Sequence, residues 1–146
     1  MNNLKRILLV EDNQKDIELT LAALEDINIA NRIDVVTDGQ EALDYLLKRA
    51  KYKNRGNGNP VVVLLDLKMP KVDGLEVLKQ IKESDDLRHI PTVMLTSSKM
   101  EKDLIKSYDL GVNAYVVKPI EFENFVVAVK ELGSFWAILN EPSPKK

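Results

Sequence analysis

Six side chains in this sequence stand just where a short apolar run ends. Glu11 and Asp12 follow the run 7–10. Asp66 follows 61–65, Thr96 and Ser97 follow 92–95, and Lys118, with Pro119 behind it, follows 114–117. Brought together, they would form a crevice of three carboxylates, one or two hydroxyls and one ammonium. Three carboxylates in one crevice repel and resist ionisation unless something neutralises them. A hard divalent cation does so, and Mg²⁺ accepts oxygen ligands in near-octahedral geometry. A carboxylate beside such a cation can act as a nucleophile toward a phosphoryl group. The ammonium and a hydroxyl would then stabilise charge on the transferred oxygens. Taken singly, each residue has a plainer reading. An acidic pair after a strand often opens a helix, Thr-Ser starts a turn, and Lys-Pro belongs to a loop.

The elements that must position these residues follow from periodicity. Five β-rich apolar runs, 7–10, 33–37, 61–65, 92–95 and 114–117, alternate with helical patterns. The first and third are continuous rather than alternating, as in strands buried on both faces. Ile17, Leu21 and Leu24 make an i, i+4, i+7 stripe, with Asn13 placed to cap it. Leu43, Leu46, Leu47 and Ala50 follow Asp38-Gly39-Gln40-Glu41, which has capping-box spacing. Asp73-Gly74-Leu75-Glu76 repeats that spacing before Leu78 and Ile81. Ser98-Lys99-Met100-Glu101 opens a fourth segment with Leu104, Ile105 and Tyr108, stopping at Gly111. A fifth follows Pro119 and carries Phe122, Phe125, Val126, Val129 and Leu132. Five β-then-α units predict an α/β fold, a doubly wound parallel sheet with right-handed crossovers. In such sheets the functional crevice lies at the carboxyl ends of the strands. That is where all six residues fall. The polar run 52–60 reads as an exposed loop.

Composition narrows the classes. The chain has 146 residues, enough for one domain with a real core. Its formal net charge of −2 gives no electrostatic ground for binding nucleic acid or a membrane surface. It has no cysteine, which excludes disulfides, thiolate catalysis and Cys-based metal sites. Its single histidine, His89, excludes a His-rich metal site and reads as a turn residue before the fourth strand. No stretch approaches the roughly 18 apolar residues of a membrane span. The first apolar run is stopped by Glu11 too soon for a signal peptide. A cytoplasmic location is therefore expected.

The motifs Ile7-Leu8-Leu9-Val10-Glu11-Asp12-Asn13, Leu64-Leu65-Asp66-Leu67-Lys68-Met69-Pro70, Asp73-Gly74, Leu95-Thr96-Ser97 and Val117-Lys118-Pro119 resemble the receiver domain of two-component response regulators. The resemblance runs from about residue 5 to about 132, in order. Ser107-Tyr108-Asp109-Leu110, the polar insertion before the third strand and the Phe135-Trp136 ending further resemble the stand-alone regulators paired with bacterial phytochromes. The resemblance implies a flavodoxin-like, five-stranded sheet in the order 2-1-3-4-5. A receiver domain would occupy 1–140, with a flexible tail over 141–146.

It also implies roles. Asp66 would be the phosphoacceptor, supplied by a histidine kinase, phytochrome-type or otherwise, or by a phosphotransfer protein. Glu11, Asp12, Asp66 and the backbone carbonyl of Lys68 would hold Mg²⁺. Lys118 would pair with Asp66 or its phosphoryl group. Thr96 would be the switch hydroxyl and Tyr115 the aromatic residue that follows it inward. The Lys118–Pro119 peptide would be cis. Such a chain is a phosphoacceptor signalling protein that catalyses only its own phosphoryl transfer and dephosphorylation. It would signal by docking to a downstream protein. Neither Lys68 nor Ser98, two residues beyond Asp66 and Thr96, can orient an attacking water well, so slow autodephosphorylation is expected. Trp136 lies past the expected end of the domain. Its position suggests a homodimer through the fourth helix, fifth strand and fifth helix.

Three other readings compete. A haloacid-dehalogenase-like phosphotransferase also uses a strand-end Asp, but it wants a second Asp where Lys68 stands. A degenerate receiver would lack some of Glu11, Asp12, Asp66, Thr96 and Lys118. A flavodoxin-like FMN binder needs a hydroxyl- and Gly-rich phosphate loop after the first strand, and none follows.

Overall fold

Successive side chains of a strand face opposite ways, so a sheet covered on both sides needs two apolar cores. The computed structural model of this chain has both. It describes residues 6–26, 32–56, 58–67, 69, 71–96, 109–112, 114–118 and 123, apart from the side chains of 115 and 117. Five parallel strands, β1 (Arg6–Val10), β2 (Arg32–Val36), β3 (Val62–Asp66), β4 (Thr92–Thr96) and β5 (Ala114–Val117), form one sheet in the order β2-β1-β3-β4-β5. On one face Ile7, Leu9, Val62, Leu64, Val93 and Leu95 pack with Ile17, Ala23 and Leu24 of helix α1 (Gln14–Asp26). On the other, Leu8, Val10, Val63, Leu65 and Met94 pack with Leu43 and Leu46 of α2 (Gly39–Leu46) and Val77, Leu78 and Ile81 of α3 (Gly74–Glu83). The doubly wound α/β expectation and its strand order both hold. β1, β2, β3 and β4 each begin or end one residue from the apolar run, because pairing rather than hydropathy sets their ends.

The caps also behave largely as their spacing predicts. The Asp38 and Asp73 carboxylates accept from the amides of Glu41 (2.7 Å) and Glu76 (3.0 Å). Asn13 Oδ1 accepts from the amide of Asp16 at 2.9 Å. The reciprocal half of the capping box differs. Glu41 reaches back to the amide of Thr37 (3.1 Å), while Glu76 pairs forward with Gln80 (3.1 Å). The polar run before β3 is not a free loop along its whole length. A 3-10 turn (Ala50–Tyr52) brings Tyr52 edge-on to Tyr45, with ring centroids 5.2 Å apart, and the Tyr52 hydroxyl donates to Glu41 at 2.6 Å. Arg55 stacks on the Tyr45 ring at 4.1 Å and donates to the Tyr45 carbonyl at 2.9 Å.

Two glycines let the loop after β3 lie close. A Cβ on Gly39 would sit 1.8 Å from the Val72 carbonyl oxygen. One on Gly74 would sit 2.2 Å from the Asp66 carbonyl oxygen and 2.8 Å from Leu67 Cα. The Gly74 amide donates to the Leu67 carbonyl at 2.7 Å, tying the start of α3 to the end of β3. Backbone cannot yield as a flexible side chain can, so only glycine fits here. Gly74→Ala is expected to destabilise the fold by roughly 1–3 kcal/mol, read as a lower melting temperature. Gly56→Ala, where a Cβ meets open space, should leave it unchanged or slightly higher.

Candidate functional site

Parallel pairing in this register delivers the carboxyl ends of β1, β3, β4 and β5 to one edge of the sheet. Asp66 is paired with Leu95, and Thr96 with Val117. The chain leaving β5 is held by a hydrogen bond from the Lys118 amide to the Thr96 carbonyl at 2.7 Å. The chain leaving β1 is held by one from the Glu11 amide to the Val36 carbonyl at 3.0 Å. These backbone bonds fix where the functional side chains start.

Glu11 is fully buried, Asp66 is 4% exposed, and Asp12 is exposed. Each offers a carboxylate oxygen, and these oxygens lie within 4.8 Å of one another. Lys118 Nζ meets the group from one side. It lies 2.8 Å from Glu11 Oε1, 3.2 Å from Asp66 Oδ1 and 2.9 Å from Asp16 Oδ2. Glu11 Oε2 accepts from the Asn13 amide at 3.1 Å. Its Oε1 is buried and, although in ion-pair range of Lys118, accepts no aligned hydrogen bond. A buried carboxylate oxygen without a directed donor, beside two other carboxylates, suits a hard cation with oxygen ligands.

The electrostatics have the same cause. Burial, then the charge of Glu11, push the Asp66 carboxyl up to about 7, against the pull of Lys118. Burial works against the Lys118 ammonium too. Its pairing with Glu11 and Asp16 and the charges of Asp66 and Glu11 outweigh that and push it upward. The site holds more negative charge than one ammonium balances, so it has affinity for a proton or a cation.

The structure thus brings together Glu11, Asp12, Asp66 and Lys118. Thr96 ends β4, buried, beside Asp66 in the sheet order. Tyr115 is on β5, but its side chain lies outside the described residues. So do Lys68, Ser97, Ser98, the Lys118–Pro119 peptide, the expected fourth and fifth helices apart from positions 109–111 and 123, Trp136 and the tail 141–146. Sequence reading missed Asp16. It stands in the first turn of α1, where an acid is expected merely to complement the helix dipole. Its place three residues after the capping Asn13 was legible. Its reach to a lysine 102 positions away was not.

Comparison with known proteins places these observations beside a family and several relatives. The model of the response regulator receiver domain matches residues 7–130. The structure of the bacteriophytochrome response regulator RtBRR is 61% identical, with a TM-score of 0.86, over 97% of this chain and 85% of that one. The probable methanogenesis regulatory protein FilR2 of Methanothrix harundinacea is 45% identical over 94% of this chain and 88% of its own length. Response regulator Rcp1 of Synechocystis is 40% identical over 90% of this chain and 88% of its own. The crystal structure of its Mn²⁺-bound form superposes with a TM-score of 0.78, at 38% identity over 97% of this chain and 99% of that one. No helix among the described residues is long and apolar enough to cross a membrane.

The raised Asp66 carboxyl gives a signed pH dependence. Its folded value lies above the ordinary carboxylate value, so between about 4 and about 7 the folded chain holds a proton that the unfolded chain has lost. Without metal, stability should decline as pH rises through that window and level off above it. Divalent-cation affinity should run the other way. It should rise by up to roughly tenfold per pH unit below about 7 and then plateau, because the cation displaces that proton. Thermal melts and calorimetric titration from pH 5 to 8 measure both. In Asp66→Asn both dependences should flatten.

Proposed function

This chain belongs to the response regulator receiver family, whose members take a phosphoryl group from histidine kinases and bind a divalent metal, and from that premise we propose how its own residues act. Asp66 is the acceptor. One of its carboxylate oxygens attacks the phosphorus carried on a kinase histidine. The P–N bond breaks, its electron pair leaves with the imidazole nitrogen, and an acyl phosphate forms on Asp66. The observation that carries this reading is the convergence of Glu11, Asp12 and Asp66 with the Lys118 ammonium at one sheet edge.

Glu11, Asp12, Asp66 and the carbonyl of Lys68 would hold Mg²⁺, which when bound neutralises charge on the phosphoryl oxygens. Lys118 lies 3.2 Å from Asp66 and can follow charge from the carboxylate to the phosphoryl group. Thr96 supplies the hydroxyl that recruits the new oxygens. Tyr115 follows it inward, biasing a two-state surface at β4 and β5. That surface and the neighbouring helices serve to dock a downstream protein or a second copy of this chain. The reaction is confined to the protein's own phosphorylation and dephosphorylation, in a receiver domain over 1–140 with the tail 141–146 outside it. A phytochrome-type kinase is the preferred donor, because the relative at 61% identity is a bacteriophytochrome response regulator. The cytoplasm is the expected site of action.

Incubation with acetyl phosphate and Mg²⁺ should label the wild-type chain, and chelation should abolish labelling. Asp66→Asn should take up no label, while Lys118→Ala and Thr96→Ala should retain some. Label on Asp66→Asn equal to wild type would refute the assignment. Once labelled and freed of donor, the chain should lose its phosphoryl group slowly. A half-life of seconds would contradict the roles given to Lys68 and Ser98.

A further inference from the structure

Lys118 is shared among three carboxylates, and the three are not equivalent. Glu11 and Asp66 belong to the cluster whose oxygens lie within 4.8 Å of one another and suit a cation. Asp16, on the first turn of α1, lies outside that cluster, yet its Oδ2 is 2.9 Å from Nζ. That is closer than Asp66, at 3.2 Å. A cation taken up by Glu11 and Asp66 competes with the ammonium for their charge, and a phosphoryl group changes the second of them altogether. Asp16 is the partner that neither event claims.

We propose that Asp16 is a positioning residue, the anchor that keeps the Lys118 ammonium aimed at Asp66 while cation and phosphoryl group occupy the other two carboxylates. The inference rests on the reading of Asp66 as phosphoacceptor. Several features support it. Lys118 is largely buried, its side chain 12% exposed, so an ammonium released from its partners has little water to turn to. Asp16 is itself held in place. Its amide donates to Asn13 Oδ1 at 2.9 Å, and its carbonyl accepts from the Thr20 hydroxyl at 2.8 Å. Both bonds use backbone atoms of Asp16, so its carboxylate is left for the lysine. Asn13 in turn donates its amide to Glu11 Oε2 at 3.1 Å. The α1 cap therefore sets the distance between the metal-side carboxylate and the anchoring one.

The alternative is that Asp16 serves only α1, through the helix dipole. The two differ in whether the effect passes through Lys118. Asp16→Asn keeps the backbone bonds and the side-chain size and removes the charge. At saturating Mg²⁺ it should slow phosphorylation by acetyl phosphate by roughly tenfold. In that reaction an Asp66 oxygen attacks phosphorus, the bond from phosphorus to the acetyl oxygen breaks, and acetate leaves with the electron pair. The Mg²⁺ dissociation constant should stay within about threefold, since Asp16 is not a cation ligand. Asp16→Glu, which keeps the carboxylate, should recover most of the rate. In a Lys118→Ala background, Asp16→Asn should have no further effect, because coupled residues are non-additive.

An Asp16→Asn effect that multiplies in full onto Lys118→Ala, or a loss of Mg²⁺ affinity that parallels the loss of rate, overturns the proposal. So does a wild-type rate in Asp16→Asn. Absence of label on the wild-type chain, or label retained by Asp66→Asn, is a different failure. It removes the phosphoacceptor reading, and this inference with it.

Discussion

The arrangement depends on one imbalance: more carboxylate than ammonium, held out of water at one end of a sheet. Glu11 and Asp66 are buried, and the ammonium that meets them is divided with Asp16. Burying an ion costs several kcal/mol unless its partner geometry is excellent. Here the partner is split three ways, and one Glu11 oxygen is left without a directed hydrogen bond. The fold tolerates this because the sheet carries a buried apolar cluster on each face, whose burial offsets the cost. The result is a site whose affinity for positive charge is built in, and whose occupant, a proton or a cation, depends on conditions.

A site of that kind needs rigid placement. The strands supply it. Glu11, Asp66, Thr96 and Lys118 each end a strand or follow directly from one, and the pairing of that strand fixes their height and direction. The amides of Glu11 and Lys118 continue the hydrogen-bond pattern one step past the strands. The loop after β3 is drawn close by Gly39 and Gly74, so the backbone of Asp66 and Leu67 lies against the start of α3, and that of Val72 against the start of α2. The same close packing means that changes at Asp66 are felt through backbone contacts as well as charge.

The legibility of these features varied with their physical range. The two covers of the sheet were readable in the continuous apolar runs 7–10 and 61–65, because burial on both faces leaves that mark. The caps Asn13, Asp38 and Asp73 were readable because capping acts over three residues. Glu11, Asp12, Asp66, Thr96 and Lys118 were readable as a group because strand ends in such a sheet face one crevice. The folding of Tyr52 and Arg55 back onto Tyr45 was not readable, since Lys/Asn/Gly-rich composition resembles any solvated loop. Nor was the partnership of Asp16 with Lys118, which looked like an ordinary acid in a first helical turn.

The sequence alone therefore determined the order of elements, the residue types at each strand end and the chemistry those types can support. Hydrophobic period and capping are local, and both are written in consecutive residues. Only the tertiary structure decided how one ammonium is apportioned among three carboxylates, which glycines must let backbone approach backbone, and how far Asp66 is pushed toward its protonated form. Distance, burial and the summed field of neighbours from distant segments set these quantities, and none of them exists until the chain has closed on itself.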